Sequence, residues 1–330
     1  MRALIVGFRG QDGSYLWDQL VQQGAVVLGI GSHGHVLASG FEWIQPIDIT
    51  EVEPVTQVVE SFLPDEVYYL AAYHHSSQES ALIQDEDIMR RSQEVHVLGL
   101  EHMLRALKKH VPQASLVYAA SSQVFGSPDT NPQTEATPLA PDGVYGVTKV
   151  AGMLLARHYR RELGFRASSA ILYNHESPRR AEKFVSQRIV NGLIRVKRGL
   201  QEHLALGDLS AGVDWGYAPD YTRAMQMIAR CGVPDDYIVA TGKLHTVDEM
   251  ARCVCEKLGL DPATSVLETP GLLYRRSRPL CGDFSKLRQI TGWEPQKSFR
   301  QMLDLMVDAA LRLGDAALEV DQGADHVEGQ

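Results

Sequence analysis

The residues best suited to chemistry are a tyrosine and a lysine four positions apart, Tyr145 and Lys149. On a helix this spacing places both side chains on one face. A phenol has an ordinary pKa of about 10, and a neighbouring ammonium favours its phenolate form and lowers that pKa. We therefore expect Tyr145 to act as a base that Lys149 activates. The same spacing is frequent by chance on plain helix faces, so its meaning depends on the elements around it.

Two serines stand where a parallel sheet would present them to a ligand. Ser121 and Ser122 follow the apolar run 115–119, which has the composition of a buried strand. Open α/β folds place their chemistry at the carboxyl ends of such strands. We expect Ser121 to bind the oxygen that exchanges a proton with Tyr145, and Ser122 to contact the same substrate.

A glycine-rich turn lies close to the N-terminus. Gly7, Gly10 and Gly13 follow the apolar run 3–6 and precede a helical pattern over 15–23. A tight turn, a close approach of pyrophosphate and close helix–strand packing each favour a residue without Cβ, and the helix N-terminus attracts phosphate. This position predicts a dinucleotide-binding turn, lined also by Gln11 and Asp12, rather than an ordinary turn.

A dinucleotide bound at this turn would bring its nicotinamide to Tyr145, and the positive oxidised ring would favour the phenolate further. Lys149 is expected to hydrogen-bond the nicotinamide ribose. The second strand, 26–30, ends near Ser32 and His33, which suit the ribose of NAD or NADP; NAD is favoured because no basic pair is present. Asp48 and Ile49 are predicted to border the adenine, with an exposed turn as the equal alternative.

Strand and helix patterns alternate through the first half of the chain. Strands are predicted over 3–7, 26–30, 66–71, 115–119 and 166–173, and helices over 15–23, 55–62, 95–110 and 144–163. Alternation of this kind predicts an α/β fold with a Rossmann-type, doubly wound parallel sheet. We expect a dinucleotide-binding domain over 1–173, a smaller α/β substrate lobe over 174–313 with segments that return to the first domain, and a flexible acidic tail over 314–330.

The composition narrows the class of partner. Of 330 residues 44% are hydrophobic and 22% are charged, as in ordinary globular enzymes, and the net charge of −9 disfavours nucleic acid. No apolar run reaches about 18 residues, so no membrane span is predicted. Four cysteines are too few for a disulfide framework, and Cys253 and Cys255 are expected to be buried or half-buried thiols without a metal. A cytoplasmic protein is expected, because a strand-like run begins directly after Arg2 and leaves no room for a signal peptide.

One seven-residue string resembles the signature of a known family. The string Asn174-His175-Glu176-Ser177-Pro178-Arg179-Arg180 is similar to that of the GDP-mannose 4,6-dehydratases, a branch of the extended short-chain dehydrogenase/reductase superfamily. Shorter stretches at 10–15, 64–72, 214–221 and 234–242 extend the resemblance over nearly all of 1–310.

The resemblance implies a GDP-linked sugar of the mannose or heptose type as substrate. It places Asn174 near the substrate diphosphate, and His175 with Leu70, Ala71 and Ala72 along the dinucleotide. Other residues would form the nucleotide-diphosphate pocket: Arg179, Val185, Arg188, Gly207 and either Arg276 or Arg278. Guanidinium pairs well with phosphate, although a solvated loop is the plain alternative for the late arginines. The two long helices 95–110 and 144–163 suggest a homodimer, with a tetramer as the alternative.

The sequence departs from the family at Gln123. Family members oxidise C4, eliminate water across C5 and C6 and return hydride to C6, and a glutamate in a Thr-Ser-Glu triplet handles the elimination. Here the triplet is Ser121-Ser122-Gln123. An amide neither takes nor gives a proton near neutral pH, and losing a positioned acid/base costs a factor of about 10² to 10⁴. Glu135 matches another family position and is not expected to substitute.

Other departures affect the cofactor and the sugar. The arginine-bearing loop that follows the second strand in the family is absent, and Val213 stands where the family has arginine. The segment after Ala72 is longer than the resemblance predicts. Its His74 and His75 are candidates for an acid/base or a sugar contact, or else solvent-exposed loop histidines.

Three functions are consistent with these features. The first is hydride transfer at C4 of a GDP-sugar without dehydration, as a 4-dehydrogenase, a 4-epimerase or a 4-keto reductase. The second is a 4,6-dehydratase with an atypical acid/base. The third, a sensor without catalysis, is disfavoured because a sensor has no need of the base pair Tyr145 and Lys149.

Overall fold

A parallel sheet of seven strands, with an antiparallel edge, is the main feature of the computed structural model, which describes residues 1–31, 36–42, 46–73, 85–269 and 278–324. Along the chain the strands are β1 (Arg2–Val6), β2 (Val26–Ile30), β3 (Val36–Ser39), β4 (Glu66–Tyr69), β5 (Ser115–Ser121), β6 (Arg166–Leu172), β7 (Asn174–Glu176), β8 (Leu204–Leu206), β9 (Gly212–Tyr217), β10 (Asp236–Val239), β11 (Leu244–Thr246) and β12 (Val266–Glu268).

The helices are α1 (Gln11–Gln22), α2 (Val52–Phe62), α3 (Asp85–Gln93), α4 (Gly99–His110), α5 (Val144–Arg161), α6 (Val185–Lys197), α7 (Ala218–Arg230), α8 (Val247–Leu258), α9 (Pro262–Ser265), α10 (Ser285–Thr291) and α11 (Phe299–Ala324). A π-helical turn, Glu94–Leu98, joins α3 to α4, and a 3₁₀ turn, Ser122–Phe125, follows β5.

The strand order β10-β6-β5-β4-β1-β2-β3 confirms the predicted Rossmann-type sheet. Every neighbouring pair runs parallel except β2 and β3, which run antiparallel. This edge strand differs from the all-parallel prediction. The reason is the short connection from Ile30 to Val36, because a parallel return would need a crossover of about a dozen residues or more.

Two hydrophobic cores are built on this framework. In the first, apolar strands are buried on both faces; Ala3, Leu4 and Ile5 of β1 are fully buried. Helix α7 and strand β10 also pack into this core. The second core is formed mainly by α6, α8 and α11. Segments after residue 174 therefore contribute to both cores, while the domain boundaries themselves stay a prediction.

Several element ends lie away from their predicted positions. The helix predicted over 95–110 begins at Asp85 and contains the π-helical turn, and α1 begins at Gln11 rather than at Tyr15. The backbone of α11 is helical as far as Ala324, through the first part of the predicted tail. Alanine and leucine, which are strong helix formers, are frequent between 309 and 318 and favour this continuation.

The four cysteines are free thiols, as the sequence predicted; Cys253 is half-buried and Cys255 is buried. No helix in the described part of the chain is both long enough and apolar enough to cross a membrane.

The turn between β1 and α1 tolerates no side chain at two of its glycines. Gly7 has a φ of +94°, and a Cβ added there would lie 2.9 Å from the backbone nitrogen of Ala71. A Cβ added at Gly13 would lie 2.4 Å from the carbonyl oxygen of Gly7. The packing of α1 against the turn therefore depends on these glycines, which is the geometry that the sequence predicted.

Gly13→Ala should lower the free energy of unfolding by about 1 to 3 kcal/mol, because the new methyl group meets backbone that must shift. Urea unfolding measures the loss. Gly10→Ala is the matched control, since its Cβ would come no closer than 3.4 Å to the turn. Its cost should stay below about 1 kcal/mol. Equal losses in the two variants would contradict this account of the turn.

Candidate active site

The predicted site residues meet at one edge of the sheet. Gly7 follows β1, the stretch Leu70–Ala72 follows β4, Ser121 ends β5, and β7 begins two residues after β6. Because these main-sheet strands run parallel, their carboxyl ends lie side by side. The cleft is therefore bordered by the glycine turn, the Ser121–Gln123 triplet and the first turns of α5.

Lys149 is a buried cation at the base of this cleft. Its side chain is almost fully buried, and its Nζ donates a hydrogen bond to the carbonyl oxygen of Ala119 at 2.8 Å. The Nζ also lies 4.9 Å from the ring centre of Tyr118 and 5.6 Å from that of Tyr145. Burial lowers the pKa of Lys149 to about 7. The predicted juxtaposition of Tyr145 and Lys149 on α5 is confirmed.

The expected lowering of the Tyr145 pKa is wrong for the chain by itself. Burial raises the pKa of Tyr145, the charge of Arg180 opposes this rise, and Asp12 adds to it. Lys149 does not offset the burial, because its own pKa of about 7 leaves it largely uncharged at the pH where a phenol ionises. Arg180 was not among the predicted site residues. Its position in the Asn174–Arg180 string was the only signal in the sequence.

The Ser121–Gln123 triplet turns sharply out of β5. Ser121 Oγ accepts a hydrogen bond from the Gln123 backbone N–H at 3.3 Å and so caps the 3₁₀ turn. Ser122 is buried, whereas Gln123 is exposed and Ser121 is half-buried. A Cβ added at Gly146 would lie 2.6 Å from the Gln123 carbonyl oxygen, so the triplet packs against the first turn of α5. Ser121 and Gln123 are thus its accessible members.

The first turn of α1 is hydrogen-bonded to the signature string, Asn174–Arg180. Gln11 Nε2 donates to the His175 carbonyl at 3.0 Å, and Ser177 Oγ donates to Gln11 Oε1 at 2.7 Å. His175 Nε2 lies 2.9 Å from an Asp12 carboxylate oxygen, and the His175 ring stacks on Tyr221. These contacts join the helix that follows the glycine turn directly to the string that is predicted to contact the substrate.

Charge pairing fixes the ionised forms of Asp12 and His175. Burial by itself would raise the pKa of Asp12, but His175, Arg180 and Gln11 together outweigh it and the pKa is lowered. Burial would likewise lower the pKa of His175, but Asp12 and the hydrogen bond to the Tyr173 backbone together outweigh it and the pKa is raised. Both groups are therefore favoured in their charged forms, as a carboxylate and an imidazolium.

The two arginines of the signature string point to different neighbours. Arg179 donates to Ser14 Oγ at 3.0 Å and to Asp18 at 2.6 Å on α1. A substrate diphosphate would have to compete with Asp18 for this guanidinium. Arg180 pairs with the buried Glu176 at 3.0 Å. Arg180 was not predicted as a site residue, yet it is the arginine whose charge acts on Tyr145.

The other predicted ligand contacts stay predictions. Asp48 accepts hydrogen bonds from both the N–H and the hydroxyl of Thr50 in an exposed turn, and the Ile49 carbonyl oxygen lies 3.3 Å from His102 Nδ1. Asn174 and Val185 are exposed, and Arg188 and Gly207 are half-buried. Arg278 is exposed and pairs with Asp129. Outside the described residues lie Ser32, His33, His74, His75 and Arg276.

The N-terminal end of α1, directly after the glycine turn, has the geometry to bind a dinucleotide pyrophosphate. Gly10 precedes the first residue of α1 without any side-chain hydrogen bond to the first turn, so this end offers backbone N–H groups to an anion. A Cβ at Gly7 or Gly13 would overlap neighbouring backbone atoms. Glu135 takes no part here, since its carboxylate accepts from the backbone N–H of Ile238 on β10.

The buried ammonium predicts a pH dependence of stability. The pKa of Lys149 is about 7 in the folded chain and ordinary in the unfolded chain, so between about pH 7 and 10 the unfolded chain binds more protons. The free energy of unfolding of the wild type, minus that of Lys149→Met, should rise with pH by about 1.4 kcal/mol per unit in this window. Urea titrations of both proteins measure it; a flat difference would contradict the buried ammonium.

Comparison with known proteins gives a consistent result. A profile of the GDP-mannose 4,6 dehydratase family matches residues 4–306. GDP-mannose 4,6 dehydratase 2 of Arabidopsis thaliana is 36% identical, with 94% of this chain and 87% of the relative aligned. The GDP-mannose 4,6-dehydratase of Yersinia enterocolitica is 30% identical, with 94% of each chain aligned.

A solved structure agrees on the fold. RMD from Pseudomonas aeruginosa, determined in complex with NADPH, superposes with a TM-score of 0.80 over 94% of this chain and 99% of its own, at 21% identity. The profile match spans most of the chain, and both relatives are at least 30% identical over 87% or more of their length. The chain therefore belongs to the GDP-mannose 4,6-dehydratase family, and it is an enzyme of the NAD(P)-dependent short-chain dehydrogenase/reductase type.

Proposed function

We propose that this enzyme transfers hydride at C4 of a GDP-linked sugar, of the mannose or heptose type, without eliminating water. The observation that carries the proposal is Gln123. It is exposed beside the first turn of α5, where the family resemblance implies a glutamate, while Ser121, Tyr145 and Lys149 are all present. The residues for oxidation are therefore retained, and the group for elimination is replaced by an amide.

A nicotinamide dinucleotide supplies the hydride acceptor or donor when it is bound. Gly7, Gly10 and Gly13, with the first turn of α1, would hold its pyrophosphate, and the N-terminal end of α1, which has no side-chain cap, supports this assignment. NAD is favoured over NADP because the sequence after β2 carries neither an arginine nor a lysine in the stretch 31–40.

The chain's own residues move the proton. Tyr145 would take the proton of the C4 hydroxyl during oxidation and return it during reduction, and Ser121 would hold the same oxygen. Lys149 uses one of its three donors on the Ala119 carbonyl and retains the others for ribose hydroxyls. Because burial raises the pKa of Tyr145, its phenolate depends on positive charge in the closed site, to which Arg180 contributes.

Elimination of water needs a group that removes the C5 proton and protonates the C6 hydroxyl. Gln123 cannot exchange a proton near neutral pH. Glu135 is committed to the backbone of Ile238, and burial raises its pKa. Among the described residues, neither therefore replaces the missing acid/base.

A 4,6-dehydratase with an atypical acid/base is the second candidate. Family membership favours it, because both relatives are named as GDP-mannose 4,6-dehydratases. It requires another group at the sugar, and His74 and His75 were the sequence-based candidates for that role.

A homodimer through α5 is also proposed. Val147 and Leu154 lie two turns apart on one face of this helix and are 44% and 49% exposed. Such a pair suits an apolar helix–helix contact with a second copy.

Gln123→Glu should raise the yield of 4-keto-6-deoxy product from GDP-mannose by about 10²-fold or more, because it restores an acid/base at the triplet. The product is measured by mass spectrometry and NMR after incubation with the dinucleotide. The wild type should oxidise or epimerise C4 and keep the C6 hydroxyl. The double variant Gln123→Glu with Tyr145→Phe is the control and should give neither product. Abundant 4-keto-6-deoxy sugar from the wild type would favour the second candidate.

A further inference from the structure

A buried histidine lies directly against the catalytic tyrosine and has no part in the function described so far. His96 belongs to the π-helical turn Glu94–Leu98 and is fully buried. Turns of this kind insert one extra residue into a helix and often occur at functional sites. The turn is held from two sides. The Tyr69 hydroxyl donates to the Val95 carbonyl at 2.6 Å, and a Cβ added at Gly152 would lie 2.9 Å from the His96 carbonyl oxygen.

The hydrogen bonds of His96 determine its tautomer. The backbone N–H of Tyr73 can only donate, and it lies 3.0 Å from His96 Nε2, so Nε2 is the unprotonated acceptor. The proton is then on Nδ1, which donates to Thr148 Oγ1 at 2.8 Å. Thr148 in turn donates to the carbonyl oxygen of Val144 at 3.0 Å or of Tyr145 at 3.1 Å. The imidazole is therefore neutral, with Nε2 hydrogen-bonded to Tyr73 and Nδ1 hydrogen-bonded to Thr148.

The imidazole also touches the phenol itself. The rings of His96 and Tyr145 meet edge to face, at 88° with their centres 5.4 Å apart. Contacts of this geometry are favourable beyond the area they bury. His96 thus supports Tyr145 in two ways, through its ring and through Thr148, the residue before Lys149.

The other nitrogen of His96 binds the chain that borders the cleft from β4. Tyr73 directly follows the stretch Leu70–Ala72, against which Gly7 is packed. The guanidinium of Arg91 lies over the Tyr73 ring at 5.6 Å. The His96 side chain therefore contacts both the chain at Tyr73 and the first turn of α5.

We infer that His96 is a positioning residue for hydride transfer. As a neutral Nδ1–H tautomer it fixes the Tyr145 ring relative to the chain at Tyr73, so that the phenol and the groups lining the cleft keep one alignment. The inference rests on the proposed function in one respect, since Tyr145 must be the base. Misplacing a reacting group by about 1 Å is enough to slow a reaction by about 10²-fold.

Single-turnover reduction of the bound dinucleotide by GDP-mannose tests this role. His96→Leu should slow hydride transfer by about 10- to 100-fold while the dinucleotide Kd changes by less than about twofold. His96→Asn keeps a donor for Thr148 and should recover part of the rate. Thr148→Val removes the hydroxyl at nearly the same shape. Combined with His96→Leu, it should add little further loss, because both act in one chain of contacts.

His110→Asn is the matched control. His110 is the last residue of α4, the helix that follows the π-helical turn, and it pairs with Glu60 far from the cleft. Its hydride-transfer rate should equal that of the wild type. A His96→Leu rate within about twofold of the wild type would overturn the inference. So would rate and dinucleotide affinity falling together, which would indicate a merely structural role.

A second measurement needs no substrate and tests the role of His96 separately from the proposed function. NMR of histidine labelled at both ring nitrogens should show His96 as the neutral Nδ1–H tautomer, with its signals identified by their loss in His96→Asn. The labelled phenol signal of Tyr145 should shift in His96→Leu. An Nε2–H tautomer or an unchanged Tyr145 signal would overturn the inference. Absence of hydride transfer in the wild type from both GDP-mannose and a GDP-linked heptose would instead refute the proposed function and leave the NMR result to decide on His96.

Discussion

The burial of one ammonium group, that of Lys149, is the constraint on which the site depends. The Ala119 carbonyl and the Tyr118 ring hold it at the carboxyl end of β5, and burial lowers its pKa to about 7. To reach this position α5 must lie very close to the sheet, and a Cβ at Gly152 would meet the Tyr118 hydroxyl at 2.3 Å. The same packing sets Tyr145 beside the Ser121–Gln123 triplet. The hydride-transfer geometry is thus a consequence of how α5 meets β5.

A second set of contacts joins the two sides of the cleft. Gln11 and Asp12 open α1 at the dinucleotide turn, and both bind the signature string through His175 and Ser177. The charge of Arg180, the last residue of this string, lowers the pKa of Tyr145 against the effect of burial. Because dinucleotide and sugar nucleotide would rest on the same short network, each must be aligned with the other for C4 to face the nicotinamide.

Periodicity and glycine placement were enough to predict the sheet and its helices, because buried parallel strands are apolar on both faces. The four-residue spacing likewise predicted that Tyr145 and Lys149 share a face. The π-helical turn at His96 and the Asp18 partner of Arg179 could not be predicted. Each depends on contacts between residues far apart in the chain. The raised pKa of Tyr145 was missed for the same reason, since burial is a property of the fold.

The central claim is that hydride leaves C4 while the C6 hydroxyl stays in place. A single turnover of the wild type with GDP-mannose deuterated at C4 tests it most directly, with the position of the label read by mass spectrometry and NMR. The account predicts deuterium on the nicotinamide, or returned to C4, and a sugar that still carries its C6 hydroxyl. Deuterium at C6 of a sugar that has lost water would contradict it, because that transfer requires the elimination that Gln123 cannot perform.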